Sequence, residues 1–108
     1  MDRISNKEVI EAVRDFKEKV NSKYALEKAI LFGSRARGEW LYTSDVDLIL
    51  VSQDFRKKKF TSRMADVLDY WNLPLDLEVL CYTPEEFERM KKRIGIVKKA
   101  VEYGIEIT

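Results

Sequence analysis

Apolar positions in the first half of the chain change from helical spacing to strand-like runs. Ser5–Glu8 reads S-N-K-E, the form of a capping box, and the apolar residues that follow it recur every three or four positions. Downstream, two short apolar runs flank a polar, glycine-containing stretch, as two buried strands flank a loop. The predicted elements are a helix over residues 6–21, strands over residues 29–32 and 46–51, and a loop over residues 34–44 that can include one helical turn.

The second half repeats this order of patterns. Helical spacing returns after a polar, basic connection, and Pro74 separates it from a stretch of alternating side chains. Thr83–Glu86 reads T-P-E-E, a second capping box with proline at the first helical position, and Gly104 follows the last apolar position. The predicted elements are a helix over residues 58–71, a strand over residues 75–82 and a helix over residues 84–103.

Helices that alternate with strands predict an α/β (α+β) fold, a small mixed β-sheet with helices packed on it. The chain has 108 residues, which is enough for one hydrophobic core and too few for separate substrate and nucleotide domains. We therefore expect one domain over residues 1–108.

Composition narrows the possible functions. Twenty basic and nineteen acidic residues leave a net charge of +1, so bulk charge gives no argument for nucleic acid as a partner. The chain has no histidine, which excludes histidine-dependent triads, bases and metal sites. No apolar run is long enough to span a membrane. Cys81 is the only cysteine, so we interpret it as a core residue and expect a cytoplasmic protein.

Candidate chemistry lies between Gly33 and the second strand. Asp45 and Asp47 are two positions apart at the start of that strand, so both carboxylates point to one face. Carboxylate pairs on a rigid face suit hard divalent cations, which here means Mg²⁺, or Mn²⁺, rather than Zn²⁺. Gly33 and Ser34 form a turn at which backbone can approach a phosphate closely. Together these features indicate chemistry on a nucleoside triphosphate.

The motif that joins these residues resembles the signature of the DNA polymerase β-like nucleotidyltransferase superfamily. The stretch G-S-R-A-R-G begins at Gly33, ten residues separate Ser34 from Asp45, and the strand reads S-D-V-D-L. Short length and this glycine motif most resemble the minimal nucleotidyltransferases, small prokaryotic proteins often paired with a HEPN-domain partner. The resemblance implies a nucleotidyltransferase fold and transfer of a nucleoside monophosphate from an NTP to an acceptor.

The resemblance also implies a third carboxylate and a phosphate cradle. Two metal ions need at least three carboxylates, and the family pattern of an acid between hydrophobic residues fits both Asp76 and Glu78. Both fall on one face of the third predicted strand, so periodicity leaves the choice open. For the phosphates, the implied ligands are Gly33, Ser34, Arg35 and Arg37, with one of the two arginines as a charge partner.

The acceptor is the least determined part of this hypothesis. Resemblance to minimal nucleotidyltransferases implies AMP transfer from ATP to a tyrosine hydroxyl of a HEPN toxin, which would make the protein an antitoxin. The alternative is a non-catalytic module that binds nucleotide or toxin and acts by masking. Trp40, Leu41 and Tyr42 lie beside the motif, where exposed aromatics would suit a docked helical protein partner. The sequence leaves a homo-oligomer open.

Overall fold

A computed structural model describes residues 4–38 and 44–107, and the α/β prediction is confirmed. The first helix, α1 (Asn6–Asn21), begins at Ser5 with the predicted capping box. Trp40, Leu41 and Tyr42, the residues expected to meet a partner, lie outside the described residues. The elements that follow are β1 (Lys28–Phe32), α2 (Ser34–Arg37), β2 (Val46–Val51), a 3₁₀ turn (Gln53–Lys57), α3 (Phe60–Leu68), β3 (Leu77–Tyr82), α4 (Pro84–Lys91), α5 (Ile96–Tyr103) and β4 (Ile105–Glu106).

The sheet is mixed, with strand order β3-β2-β1-β4. The central strand β2 pairs antiparallel with β1 and parallel with β3, while β4 closes the other side antiparallel to β1. Because β2 and β3 run in the same direction, their first residues lie at the same edge of the sheet. That edge is where the predicted acidic residues fall.

Helices cover both faces of this sheet. The face that carries Leu31 and Leu48 packs against α1 and α3 in one core, which also contains Cys81 as a fully buried thiol. The opposite face carries Ile30 and Ile49 and packs against α4 and α5. In the part of the chain that the structure describes, no helix is both long and apolar enough to cross a membrane.

The predicted helix over residues 84–103 is wrong as a single element, because the chain breaks between α4 and α5. The amides of Lys92 and Arg93 close α4 with bonds to carbonyls three residues back, and Gly95 then takes a positive φ of 156°. Ile94 fits the helical spacing of apolar positions, but its side chain is 94% exposed. A glycine at this conformation ends the hydrogen-bond ladder, so two short helices form where periodicity suggests one.

Two further differences are small. The observed helix α3 is shorter than the predicted helix over residues 58–71, because it ends at Leu68 and Trp71 follows in a turn. Trp71 nevertheless packs edge-on against Phe16, with ring centroids 5.6 Å apart. Residues 105 and 106 lie beyond the last predicted element, and they pair with Leu31 and Ile30 as an edge strand.

Candidate active site

The carboxylates of Asp47 and Glu78 are brought together by strand register. Asp47 of β2 pairs with Glu78 of β3 across the parallel ladder, and strand parity turns both toward the face covered by α4 and α5. After burial, the charge of Glu78 and a side-chain hydrogen bond to it raise the pKa of Asp47. Of the two acids left open by periodicity, Glu78 is therefore the one that contacts Asp47.

Asp47 is an aspartate held in an unfavourable environment. Burial, followed by the negative charge of Glu78, their hydrogen bond and the charge of Asp45, raises the pKa of Asp47 from 3.8 to about 6. The positive charge of Arg37 lowers the pKa of Asp47, but by less than these other causes raise it. A carboxyl group with this pKa is ionised at neutral pH only at a cost in folding free energy, which is common at functional sites.

Gly33 lies directly against this carboxylate. Phe32, the last residue of β1, pairs with Asp47, and Gly33 follows with a φ of 75°, in the region that favours glycine. A Cβ atom at this position would lie 2.3 Å from Oδ2 of Asp47. The backbone angle favours glycine here, and an added Cβ would in addition force the Asp47 carboxylate to shift.

Asp45 and Asp76 lie at the same edge of the sheet, each two residues before Asp47 or Glu78 in the chain. Both side chains are exposed, and the carbonyl of Asp76 accepts a hydrogen bond of 2.9 Å from the amide of Val46. The charge of Asp45 acts on Asp47, as the shared face predicts. Among the residues described, no group of three histidine, cysteine, aspartate or glutamate side chains is arranged to hold a metal ion.

Arg35, one of the two arginines expected at the phosphates, is placed differently from that expectation. Its side chain is fully buried, and its guanidinium donates to the carbonyl of Ser44 through Nε and Nη2 and to that of Ile4 through Nη1, over 3.1–3.2 Å. Burial lowers the pKa of this guanidinium. Arg35 therefore ties α2 to the residue that precedes Asp45, and we correct its assignment from a phosphate ligand to a positioning residue.

Arg37 and Ser34 keep positions that suit a phosphate. Ser34 begins the short helix α2 immediately after Gly33, whose carbonyl accepts the amides of Ala36 and Arg37. The side chain of Arg37 is exposed, and its charge acts on Asp47. The Arg37 guanidinium can therefore offset the negative charge of a phosphate that binds beside the acidic residues.

A cavity of about 390 Å³ opens beside Gly33. Its walls combine Phe32 of β1 with Ile96 and Tyr103 of α5, and Lys99 and Arg37 add two positive charges. A volume of this size is typical of small-molecule sites, which are mainly apolar with a few polar groups. The cavity thus continues the site from the Gly-Ser turn toward α5.

The contribution of α5 was missed by the sequence reasoning. Ile96, Lys99 and Tyr103 are three and four residues apart, so they share one helix face, but the pattern was interpreted as part of one long amphipathic helix. Gly95 was the available signal, since a glycine inside an otherwise regular helix can mark a new helix start.

The donor atoms at the sheet edge are of the type that a hard divalent cation prefers. Asp45, Asp47 and Glu78 offer only carboxylate oxygens, which are the ligands that Mg²⁺ and Mn²⁺ prefer. Burial first, and then repulsion from Glu78 and Asp45, raise the pKa of Asp47. A bound cation would offset the repulsion. No three such side chains among the described residues are arranged to hold an ion, so a metal held by Asp45, Asp47 and Glu78 stays a prediction.

The mixed sheet, the glycine turn and the paired acids define a class of protein, the enzymes that transfer nucleotidyl groups. A family described as "Nucleotidyltransferase domain" matches residues 13–105, and the chain belongs to this family. The predicted transferase activity class and the predicted superfamily are thereby confirmed.

Relatives of known name agree with this family. Two proteins of Methanocaldococcus jannaschii are named as candidate protein adenylyltransferases. One is 26% identical over 102 residues, which cover 93% of this chain and 99% of the relative. The other is 32% identical over 95 residues, which cover 88% of this chain and 89% of the relative. The crystal structure of a candidate nucleotidyltransferase from Sulfolobus solfataricus matches with a TM-score of 0.64 and 27% identity, over 78% of this chain and 75% of its own.

Proposed function

We propose that this nucleotidyltransferase moves AMP from ATP to a hydroxyl group of a protein, in a reaction that depends on Mg²⁺. The observation that carries the proposal is the acidic edge itself: Asp47 and Glu78 paired across two strands, with Gly33 packed against Asp47. The names of the two Methanocaldococcus jannaschii relatives support AMP as the transferred group and a protein as the acceptor.

The residues divide the work by position. The Gly33–Ser34 turn and Arg37 bind the triphosphate, and the cavity walled by Ile96 and Tyr103 receives the nucleoside. The acceptor oxygen attacks the α-phosphorus, the bond to the bridging oxygen breaks, pyrophosphate leaves, and the hydroxyl proton passes to the carboxylates at the sheet edge. Bound Mg²⁺ would supply Lewis-acid chemistry, which polarises phosphate oxygens and favours loss of that proton.

Orientation of these groups depends on the buried arginine. Because the guanidinium of Arg35 binds the carbonyls of Ser44 and Ile4, the short helix after Gly33 and the start of β2 form one unit. Fixing the phosphate turn against the acidic strand is a positioning effect, and positioning supplies much of the rate in phosphoryl and nucleotidyl transfer.

For the acceptor, we propose the tyrosine hydroxyl of a HEPN-domain toxin, with the protein acting as its antitoxin. The compact G-S-R-A-R-G motif supports this minimal type of nucleotidyltransferase. The test is co-expression with a HEPN protein encoded beside it, followed by mass spectrometry of that protein. AMP on a tyrosine is expected with wild type and not with Asp45→Asn; an unmodified but bound partner in both would refute modification.

A non-catalytic role remains the second candidate, and one observation favours it. The described residues contain no group of three acidic, histidine or cysteine side chains arranged to hold a metal ion. In this case the protein would bind nucleotide or toxin and act by masking. Isothermal titration separates the two: Mg²⁺ should raise ATP affinity in wild type but not in Asp45→Asn if the acidic edge is catalytic, and should change neither if it is not.

A further inference from the structure

The turn between α4 and α5 carries a concentrated positive charge with an apolar tip. Between residues 89 and 99 the sequence has six basic residues and no acidic ones, although the whole chain has a net charge of only +1. Ile94 stands at the tip with 94% of its surface exposed. We call residues 89–99 the basic turn; its cations are Arg89, Lys91, Lys92, Arg93, Lys98 and Lys99.

Most of this charge has no ion-pair partner in the part of the chain that the structure describes. Among residues 4–38 and 44–107, the only ion pair of the basic turn joins Lys91 to Glu88, at 2.9 Å. On α1, by contrast, acidic and basic residues alternate, and Lys19 pairs with Asp15 at 3.0 Å. Clustered like charges repel one another and lower stability, so an uncompensated cluster indicates a ligand or partner that supplies the opposite charge.

The apolar tip indicates that this partner is a protein. An isoleucine that is almost fully exposed and surrounded by cations gains most when a partner buries it in an apolar pocket. Nucleic acid would supply the negative charge equally well, and its bases could stack on the two arginines, but it offers Ile94 no apolar pocket of the kind found on protein surfaces. Ile94 therefore favours an acidic protein surface over RNA or DNA.

The basic turn also lies in the right place for an acceptor. On its α5 side, Ile96 and Lys99 line the cavity beside Gly33. On its α4 side, Arg89 and Arg93 line a second groove of about 270 Å³, together with Phe60, Tyr82, Met90 and one carboxylate, that of Glu86. A partner bound across the turn would thus extend from this second groove to the mouth of the candidate active site.

We propose that the basic turn is the docking surface for an acidic region of the protein that accepts the nucleotidyl group. The proposal rests on the protein acceptor of the proposed function and adds the chemistry by which that acceptor is recognised: carboxylates against Arg89 and Arg93, and an apolar contact to Ile94. Docking brings the acceptor hydroxyl to the acidic edge without requiring a defined sequence around it.

The test uses a fluorescein-labelled random copolymer of glutamate and tyrosine as the probe. Its dissociation constant is measured by fluorescence anisotropy for the wild type and for the double charge reversal Arg89→Glu with Arg93→Glu. The matched control is Lys7→Glu with Arg14→Glu, which changes net charge equally on exposed positions of α1, on the opposite face of the sheet. Thermal melting of each variant checks folding.

We expect binding by the wild type, a dissociation constant roughly tenfold or more higher in the turn variant, and a change of less than about twofold in the α1 control. Binding should also weaken as salt rises from about 0.05 to about 0.5 M, because the contacts are exposed charges. No binding by the wild type, equal losses in both variants, or binding of poly(U) in preference to the copolymer would each overturn the proposal.

A parallel arm separates this proposal from the proposed function. Asp47→Asn should bind the copolymer as tightly as the wild type while transferring no label to it from α-labelled ATP. Turn-dependent binding without any transfer by the wild type counts against AMP transfer but supports docking. Transfer that is insensitive to the turn variant, at copolymer concentrations below saturation, counts against docking and supports the transferase.

Discussion

Replacing Asp47 by asparagine should stabilise the protein while removing its activity. The pKa of Asp47 is raised from 3.8 to about 6, so the folded state holds the proton more tightly than the unfolded state does. At one pKa unit per 1.36 kcal/mol, ionising this carboxyl in the fold costs about 3 kcal/mol at neutral pH. Partial solvent exposure reduces that figure, and we expect a gain of roughly 1–3 kcal/mol for the neutral amide.

The sign of this effect gives the prediction its pH dependence. Because the folded pKa is the higher one, the contribution of the Asp47 proton to stability is fully present below pH 3.8 and is lost as pH rises through about 6. The gain in unfolding free energy of Asp47→Asn over the wild type should accordingly be small near pH 4 and reach its full value above about pH 6.5. Wild-type transferase activity should fall on the acid side of about pH 6, as the carboxylate becomes protonated.

Thermal melting at several pH values measures the effect directly. For a chain of this size, the expected gain corresponds to a rise in Tm of roughly 5–15 °C at pH 7.5. Asp69→Asn, an exposed aspartate at the end of α3, is the matched control and should shift Tm little. Mg²⁺ should raise the Tm of the wild type and leave that of Asp47→Asn unchanged. A lower Tm for Asp47→Asn at pH 7.5 would refute the reasoning, since it would mean that the fold stabilises this carboxylate.

Three further substitutions test the other parts of the site. Glu78→Gln should reduce transfer by about 10²-fold or more, whereas Asp76→Asn should change it by less than about threefold; equal losses in steady-state assays would exclude Glu78 as the third acid. Gly33→Ala should lower the free energy of unfolding, measured by chemical denaturation, by about 1–2 kcal/mol more than Gly38→Ala does. Both glycines have φ near 75°, but only Gly33 lies against a carboxylate. Equal losses in the two variants would contradict that contact. Arg35→Lys should lower unfolding free energy by about 2 kcal/mol or more, since lysine cannot serve both carbonyls; an unchanged value would contradict the buried role.

Much of the fold follows from local patterns in the sequence. The capping box at Ser5 and the strand-length run over residues 46–51 give the bounds of α1 and β2 as the structure has them. Period alone places Asp45 and Asp47 on one face, and the same rule places Glu78 on its own strand face. The register that aligns Asp47 with Glu78 depends on packing between distant segments, so the choice between Glu78 and Asp76 required the structure.

The remaining differences arise where a local pattern has two physical meanings. An arginine beside a glycine turn can contact phosphate or bind backbone carbonyls in the core, and only tertiary structure shows that Arg35 does the latter. Ile94 fits a helical stripe, yet Gly95 ends that helix and leaves Ile94 in solvent. The residues of α5 beside the cavity were missed for the same reason, because their helix begins at the break.

The most direct test of the central claim compares two labels on the same substrate. Purified protein is incubated with Mg²⁺, the glutamate–tyrosine copolymer and ATP labelled at either the α- or the γ-phosphate, and label on acid-precipitated polymer is counted. Nucleotidyl transfer at the Asp47–Glu78 edge predicts incorporation from α-labelled ATP only, with pyrophosphate released in equal amount and no incorporation by Asp47→Asn. Label from γ-labelled ATP, or equal incorporation by wild type and Asp47→Asn, would contradict it.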